Sequence, residues 1–409
     1  MALPRWRAML VNLALAFASL GVCFLLIEAL ARVIESRRVA EVQRVVKAGG
    51  AAIRFHPVLG WEKAPGTTLR VQRSEFDVVM HTNSRGLRGP ELEYACPKDT
   101  RRVLVIGDSF AAGYYVNDDQ TLAAVLERRL SAATCGPVQV LNGGTIAYST
   151  DQEYLFYKIE GQRYEPRVVV LMFYYNDLLY NIRAAGPQGE PKPYFEEDAG
   201  KLALLNVPLA PPAPGSGGRV GEDVEHVSPW RGSLALRQLG VRTTDSAPRL
   251  NRWLAALGLV PPAAPTPNPE LWVYGPGAEV PAMWRTTTAL LRALRDEAAT
   301  HDARLIVLYV PVRFEVNDAV WDLTRERYKL GRHWRREKVF ERLEAACTEL
   351  GVPLIDPRQA LCAAETSSRP AYYTRDVHWT DVGNELAAVA VEPAVRAALE
   401  CPGAASAGP

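Results

Sequence analysis

Arg102–Ala112 reads RVLVIGDSFAA. Residues 103–106 form a short, continuous apolar run rich in β-branched side chains, which suits a strand buried on both faces of a parallel sheet. Gly107-Asp108-Ser109 breaks the run, and a small-residue helical pattern follows over 121–130. A serine where a strand ends stands at the carboxyl edge of the sheet, where open α/β folds hold their ligands. Backbone N–H groups there can stabilise a developing anion. On the tripeptide alone, a solvated serine in a strand-ending turn explains the same residues.

Outward from this stretch, strands and helices alternate. Apolar strands are expected at 103–106, 138–141, 168–173, 304–310 and 353–355, and helices at 121–130, 149–160, 281–301, 334–350 and 381–399. That alternation predicts an α/β fold with a three-layer, doubly wound parallel sheet. Residues 51–98 read differently. Turns at Gly60-Trp61 and Asn83-Ser84-Arg85-Gly86 and short strands at 68–73 and 75–81 predict a small β-rich element packed on the main domain.

The alternation stops between 182 and 280. This insertion holds Pro/Gly-rich linkers at 211–218 and 261–269 around a stretch of helical spacing at 230–257. It reads as a lid or membrane-proximal cap. The expected layout is an anchor and stalk at 1–38, the β-rich element at 51–98, a main domain from 99–181 and 281–400, the insertion at 182–280, and a disordered tail at 401–409.

The N-terminus decides the compartment. Residues 9–27 are uncharged and apolar, about long enough to span a bilayer, and 9–31 predict a single uncleaved membrane anchor. Arginines flank it on both sides, so orientation rests on where the rest of the chain makes chemical sense. With 409 residues, a net charge of +1 and 23% charged residues, the chain has room for a large core and shows no nucleic-acid signature. Of six cysteines, Cys96 and Cys135 precede neighbouring strands and would pair in an oxidising compartment. Cys347 with Cys362 is a second candidate pair, and no Cys/His spacing suggests a metal.

A serine hydroxyl is a poor nucleophile until a base takes its proton. Among six histidines, His378 stands out for its company, Asp376-Val377-His378-Trp379-Thr380-Asp381. In an extended loop, Asp376 and His378 would point the same way, so the carboxylate would fix the imidazole tautomer. Asn176, after the strand 168–173, offers a neutral side-chain donor to an oxyanion. The loop Asn142-Gly143-Gly144-Thr145-Ile146-Ala147-Tyr148-Ser149-Thr150 follows a strand of its own. Each segment alone is explained by turn chemistry; their joint occurrence is far more specific.

Together these blocks resemble the SGNH hydrolases, the GDSL esterase/lipase family, and in particular membrane-anchored bacterial members. The resemblance covers 101–181 and 306–399 and, more loosely, 55–89. It implies a flavodoxin-like sheet, Ser109 as nucleophile, His378 as base and Asp376 as its acid partner. It further implies an oxyanion hole from the N–H groups of Ser109 and Ala147 and the Asn176 amide, with no cofactor. Two departures matter. Many members carry glycine where Ala147 stands, and Gly144 is the fallback donor. Arg375 occupies the usual acid position, so the pattern becomes Asp-x-His-Trp, the form found in alginate O-acetyltransferase-type enzymes.

The expected function is therefore a membrane-anchored serine esterase, single-pass in the inner membrane with its catalytic domain in the periplasm. Its partner would be an ester substrate, an O-acylated or O-acetylated envelope glycan or lipid. An O-acyltransferase using the same residues is the alternative. A non-catalytic assembly protein on the same scaffold is the third reading.

Overall fold

The computed structural model describes residues 52–72, 75–133, 136–187, 189–211, 269–374 and 376–399, with parts of 6–33 and a few positions between 249 and 257. The chain divides into two compact units, Met1–Val46 with Glu222–Thr266 and Lys47–Gly221 with Pro267–Pro409. In the first, Val11–Leu30 is a helix long and apolar enough to cross a membrane, with a mean hydropathy of 2.3. An anchor and a signal sequence both fit such a helix. The expected stalk, most of 212–268 and the tail lie outside the described residues.

The second unit carries the site. Its strands are β1 (Ile53–His56), β2 (Gly60–Lys63), β3 (Thr68–Gln72), β4 (Asp77–His81), β5 (Arg101–Gly107), β6 (Val138–Asn142), β7 (Val168–Tyr174), β8 (Tyr194–Asp198), β9 (Lys201–Leu205), β10 (Arg304–Val310) and β11 (Leu354–Ile355). Its helices are α1 (Ser109–Ala112), α2 (Leu122–Ala132), α3 (Thr150–Ile159), α4 (Asp177–Tyr180), α5 (Val280–Thr300), α6 (Arg313–Val316), α7 (Asp318–Tyr328), α8 (Lys338–Leu350), α9 (Arg358–Glu365) and α10 (Asp381–Ala398).

Five parallel strands form the central sheet in the order β11-β10-β7-β5-β6. All of β7, VVVLMFY, is buried, as are Arg102–Gly107 of β5. Each fully buried Val or Leu contributes about 1.5–3 kcal/mol, so two-sided burial explains why these runs need no alternation. Helices α2 and α10 pack on each other and against β6 and β10, while α3 and α5 pack on each other and against β5 and β10. This is the expected three-layer, doubly wound α/β sandwich. Ranked by chain position, the strands run second, first, third, fourth, fifth. The order therefore reverses between β5 and β7, the crevice where doubly wound folds bind ligands.

The β-rich element consists of two antiparallel hairpins, β1–β2 and β3–β4. The first part of the expected insertion is built into the unit. Its hairpin β8–β9 buries Phe195 in the core, and Lys192 just before it is fully buried in an ion pair with Asp151. The Cys347–Cys362 pair does not form: both are free thiols, Cys347 buried on α8 and Cys362 exposed on α9. Burial pushes the Cys347 thiol up to about 12. Cys96 is also a free thiol, and Cys135 lies outside the described residues.

Candidate active site

Ser109 sits two residues beyond β5, at its carboxyl end. Asp108 turns the chain there, its carboxylate accepting from the Phe110 N–H at 2.8 Å as the cap of α1. The loop after β6 presses against this helix. A Cβ on Gly144 would lie 2.3 Å from Ala112 N, so only glycine fits. The loop extends the β5–β6 ladder past the strands, with Gly143 N to Val105 O at 2.8 Å and Thr145 N to Gly107 O at 2.9 Å.

His378 arrives from the other end of the chain, on a closed loop before α10. Tyr373 N donates to His378 O at 3.1 Å, and Thr380 N to Ala371 O at 2.8 Å. The Tyr372 hydroxyl donates to Pro311 O at 2.7 Å, and Trp379, only 1% exposed, packs edge-on to Phe110. The Thr380 side chain caps α10. Gly383 is needed as well, since a Cβ there would meet Ala371 O at 2.5 Å.

These contacts bring three expected residues into one hydrogen-bonded chain. His378 Nε2 lies 2.7 Å from Ser109 Oγ, and His378 Nδ1 lies 2.5 Å from Asp376 Oδ1. The reason for the Asp–His pairing differs from expectation. Residues 376–378 form a bend, not an extended segment, and the His378 backbone N–H donates to Asp376 Oδ1 at 2.9 Å. One carboxylate oxygen thus receives the backbone and the ring of the same histidine, an Asx-type turn. Burial pushes the Asp376 carboxyl up, but the hydrogen bonds and charge of His378 outweigh it and hold the group below its ordinary range. Asp108 is the opposite case. Wholly buried, it is pushed up to about 6, against the pull of the Phe110 N–H and His378. Two carboxyls whose environments drive them apart are suited to different roles, and the one held below its ordinary range bonds the imidazole.

Aromatic rings enclose the imidazole. Phe110 lies 4.9 Å from it and Tyr115 5.0 Å, ring centre to ring centre, and Phe76 stacks on Tyr115 at 4.3 Å. Such a shell limits water and fixes the ring plane.

Asn176 stands at the N-terminal boundary of α4, two residues beyond β7, and its side chain makes no capping bond; as Ser109 follows β5, both flank the order-reversal crevice. Its Oδ1 is buried with no hydrogen-bond partner among the described residues. Next to it, Asp177 accepts from Thr150 Oγ1 at 3.0 Å, and burial first, then the charge of Asp108, pushes its carboxyl well above the ordinary range. The structure also distinguishes the two backbone donors. The Gly144 N–H is engaged by Asn142 Oδ1 at 3.1 Å. Ala147 adopts the left-handed conformation, φ 61°, and its N–H has no acceptor among the described residues. Among those residues no cluster of His, Cys, Asp or Glu is arranged to hold a metal.

Sequence reasoning missed the side chains that grip the 144–148 turn. Trp61 Nε1 donates to Ile146 O at 2.8 Å, the Lys63 ammonium donates to Gly144 O, and the Tyr148 hydroxyl donates to Trp61 O at 2.5 Å. Burial, then the charge of Arg88, lowers Lys63 to about 7. The Gly60-Trp61 turn was visible, but nothing near it in the chain pointed to a loop some eighty residues on.

Residues 276–408 match the family model described as "SGNH hydrolase-like domain, acetyltransferase AlgX". Comparison with curated proteins gives no match. Among solved structures, the chain is similar to a lipase/acylhydrolase from Enterococcus faecalis at 13% identity, covering 73% of this chain and 96% of that one, with a TM-score of 0.37. It is similar to an acetyl-xylooligosaccharide esterase from a Geobacillus species at 12% identity, covering 75% and 97%, with a TM-score of 0.37. A GDSL-like lipase from Bacteroides thetaiotaomicron matches at 13% identity, covering 75% and 93%, with a TM-score of 0.34.

Proposed function

We propose that this chain, built on an SGNH/GDSL-like α/β fold, is an acyl-ester enzyme that works through Ser109. The observation that carries the reading is the hydrogen-bonded chain Ser109–His378–Asp376 beside the order-reversal crevice. His378 Nε2 takes the proton of Ser109 Oγ as that oxygen attacks an ester carbonyl. The N–H groups of Ser109 and Ala147 and the amide of Asn176 hold the resulting oxyanion. As the intermediate collapses, the alkoxide leaves and collects the proton from His378, and an acyl-serine remains. A second hydroxyl, from water or a sugar, then gives its proton to His378 and attacks the acyl carbon. The acyl group departs as a carboxylic acid or a new ester, and Ser109 recovers its proton. Asp376 keeps Nδ1 protonated throughout and stabilises the transient imidazolium.

Hydrolysis of an O-acyl or O-acetyl ester on an envelope glycan or lipid is the primary reading. Acyl transfer to a polysaccharide is the second, favoured by the acetyltransferase description of the family model over 276–408. Either reaction would run outside the cytoplasm, with the helix Val11–Leu30 as a single-pass anchor. A fluorophosphonate probe followed by intact mass tests the nucleophile. The full-length chain should gain one probe adduct and Ser109→Ala none; equal labelling of both would remove Ser109 from the mechanism. Supplying a chromogenic acetyl ester with and without a glycan acceptor separates the two reactions, since only transfer yields acetylated acceptor.

A further inference from the structure

The geometry points to Trp61 as a positioning residue that aims and strengthens the Ala147 N–H, an inference that rests on the reading of Ala147 as an oxyanion donor. The Ala147 N–H and the Ile146 carbonyl belong to one peptide unit. In a trans peptide the two bonds point in opposite directions, so whatever holds the carbonyl aims the N–H. Trp61 Nε1 holds that carbonyl at 2.8 Å. The indole is itself held. Trp61 is 3% exposed, pairs with Phe55 across the hairpin, and meets the Tyr148 ring edge-on at 5.8 Å, while the Tyr148 hydroxyl bonds back to its carbonyl.

The peptide unit two before it, Gly144–Thr145, is treated the same way. Lys63 donates to Gly144 O, and the N–H of that same unit, Thr145, donates to Gly107 O at 2.9 Å, two residues before Ser109. Trp61 and Lys63 lie on one face of β2, two residues apart, and grip carbonyls two residues apart. Ala147 needs such a hold, because φ 61° is a conformation alanine disfavours. A donor on the carbonyl also polarises the peptide, which makes its N–H a better donor to a developing oxyanion. Trp61 touches no reacting atom; its contribution appears only where negative charge develops on the acyl oxygen.

The test uses the full-length chain with p-nitrophenyl acetate and a fluorophosphonate. Two changes remove the donor: Trp61→Phe, and replacement of the indole by benzothiophene, which swaps only the N–H for sulfur. Ile53→Ala, on the paired strand β1 and packed on the core, loosens the same hairpin without touching the donor. The donor-less proteins should lose about 10-fold in kcat with KM within about twofold, and phosphonylation should slow in parallel. Ile53→Ala, at an equal or larger drop in Tm, should keep kcat within about twofold. Unchanged kcat in the benzothiophene protein, or an equal kcat loss in Ile53→Ala, overturns the inference while an inactive Ser109→Ala leaves the nucleophile standing. An active Ser109→Ala overturns the reading beneath it.

Discussion

The carboxyl edge of the central sheet and the two hairpins ahead of it contribute to one site in opposite ways. The edge supplies every group proposed to touch substrate: Ser109 after β5, Asn176 after β7, Ala147 after β6 and His378 before α10. The hairpins β1–β2 and β3–β4 supply none. They hold the loops. Trp61 and Lys63 of β2 grip the 144–148 turn. At the tip of β3–β4, Glu75 accepts from the Thr374 N–H at 2.8 Å, and Phe76 lies 5.0 Å from Tyr373, at the start of the segment that carries Asp376 and His378. The difference has a physical origin. Past the last ladder bond of a parallel strand, loop carbonyls need outside donors, and a packed interior seldom leaves them unpaired. In this chain the hairpins are part of that outside.

The comparison breaks first at Asp376. If chemistry resides in the edge and only aim resides in the hairpins, Asp376→Asn must cost far more than any donor change at Trp61. An asparagine can still bond the His378 backbone, yet it presents no charge to the imidazolium and allows the wrong tautomer. The expected loss in kcat is about 10³-fold, measured by steady-state ester hydrolysis with Tm within a few degrees of the parent. A loss below that of the Trp61 donor changes would invert the ranking and leave His378 acting as a dyad with Ser109.

Arg88 sharpens the other side. It follows β4, its side chain is 4% exposed, and its N–H groups reach Ala112 O at 2.7 Å, Val116 O at 2.6 Å and Asp118 Oδ1 at 2.8 Å, with Gly113 O as a further acceptor. It stitches the end of α1 to the hairpin segment. Arg88→Met keeps the stem and orphans buried carbonyls, so it should lower unfolding stability by about 3 kcal/mol, read from urea denaturation. An unchanged midpoint would make the hairpin segment a passenger on the sheet.

How much of this was legible in sequence follows the same division. β7 announced itself because two-sided burial leaves no charged or amide side chain in the run, and β5 and β10 did so through the apolar stretches that follow their leading arginines, whereas β6 was legible despite Gln139 in its middle. Ser109, Asn176 and His378 were legible because each belongs to a local pattern at a strand or helix end. The Asp376–His378 contact was legible, but its turn was not, since two residues between bends and strands carry no period. Lys192 was read as part of a lid, whereas its burial against Asp151 makes it core. Trp61 and Lys63 were illegible for a further reason. Their partners lie 85 and 81 residues away, and a tryptophan in a hairpin looks the same whether it fills space or holds a carbonyl.

The subtlest expectation concerns the first carboxyl of the edge. Asp108 is ordinarily near 3.8 and is pushed up to about 6 in the folded chain. Below the ordinary value both folded and unfolded chains carry its proton, and it costs nothing. Between the two values the unfolded chain ionises while the folded one does not, so stability falls as pH rises through about 4 to 6. Above 6 the full penalty remains, about 3 kcal/mol for a shift of this size. Asp108→Asn still caps α1 through its amide oxygen and removes the titration. Its stability relative to the parent should therefore improve progressively from pH 4 to pH 6 and then level off, measured by urea midpoints across that range. A difference that stayed flat with pH would mean that the cap and the His378 charge fully offset burial. The ionised edge would then be stabilised from within, and the hairpins would be left with less to do.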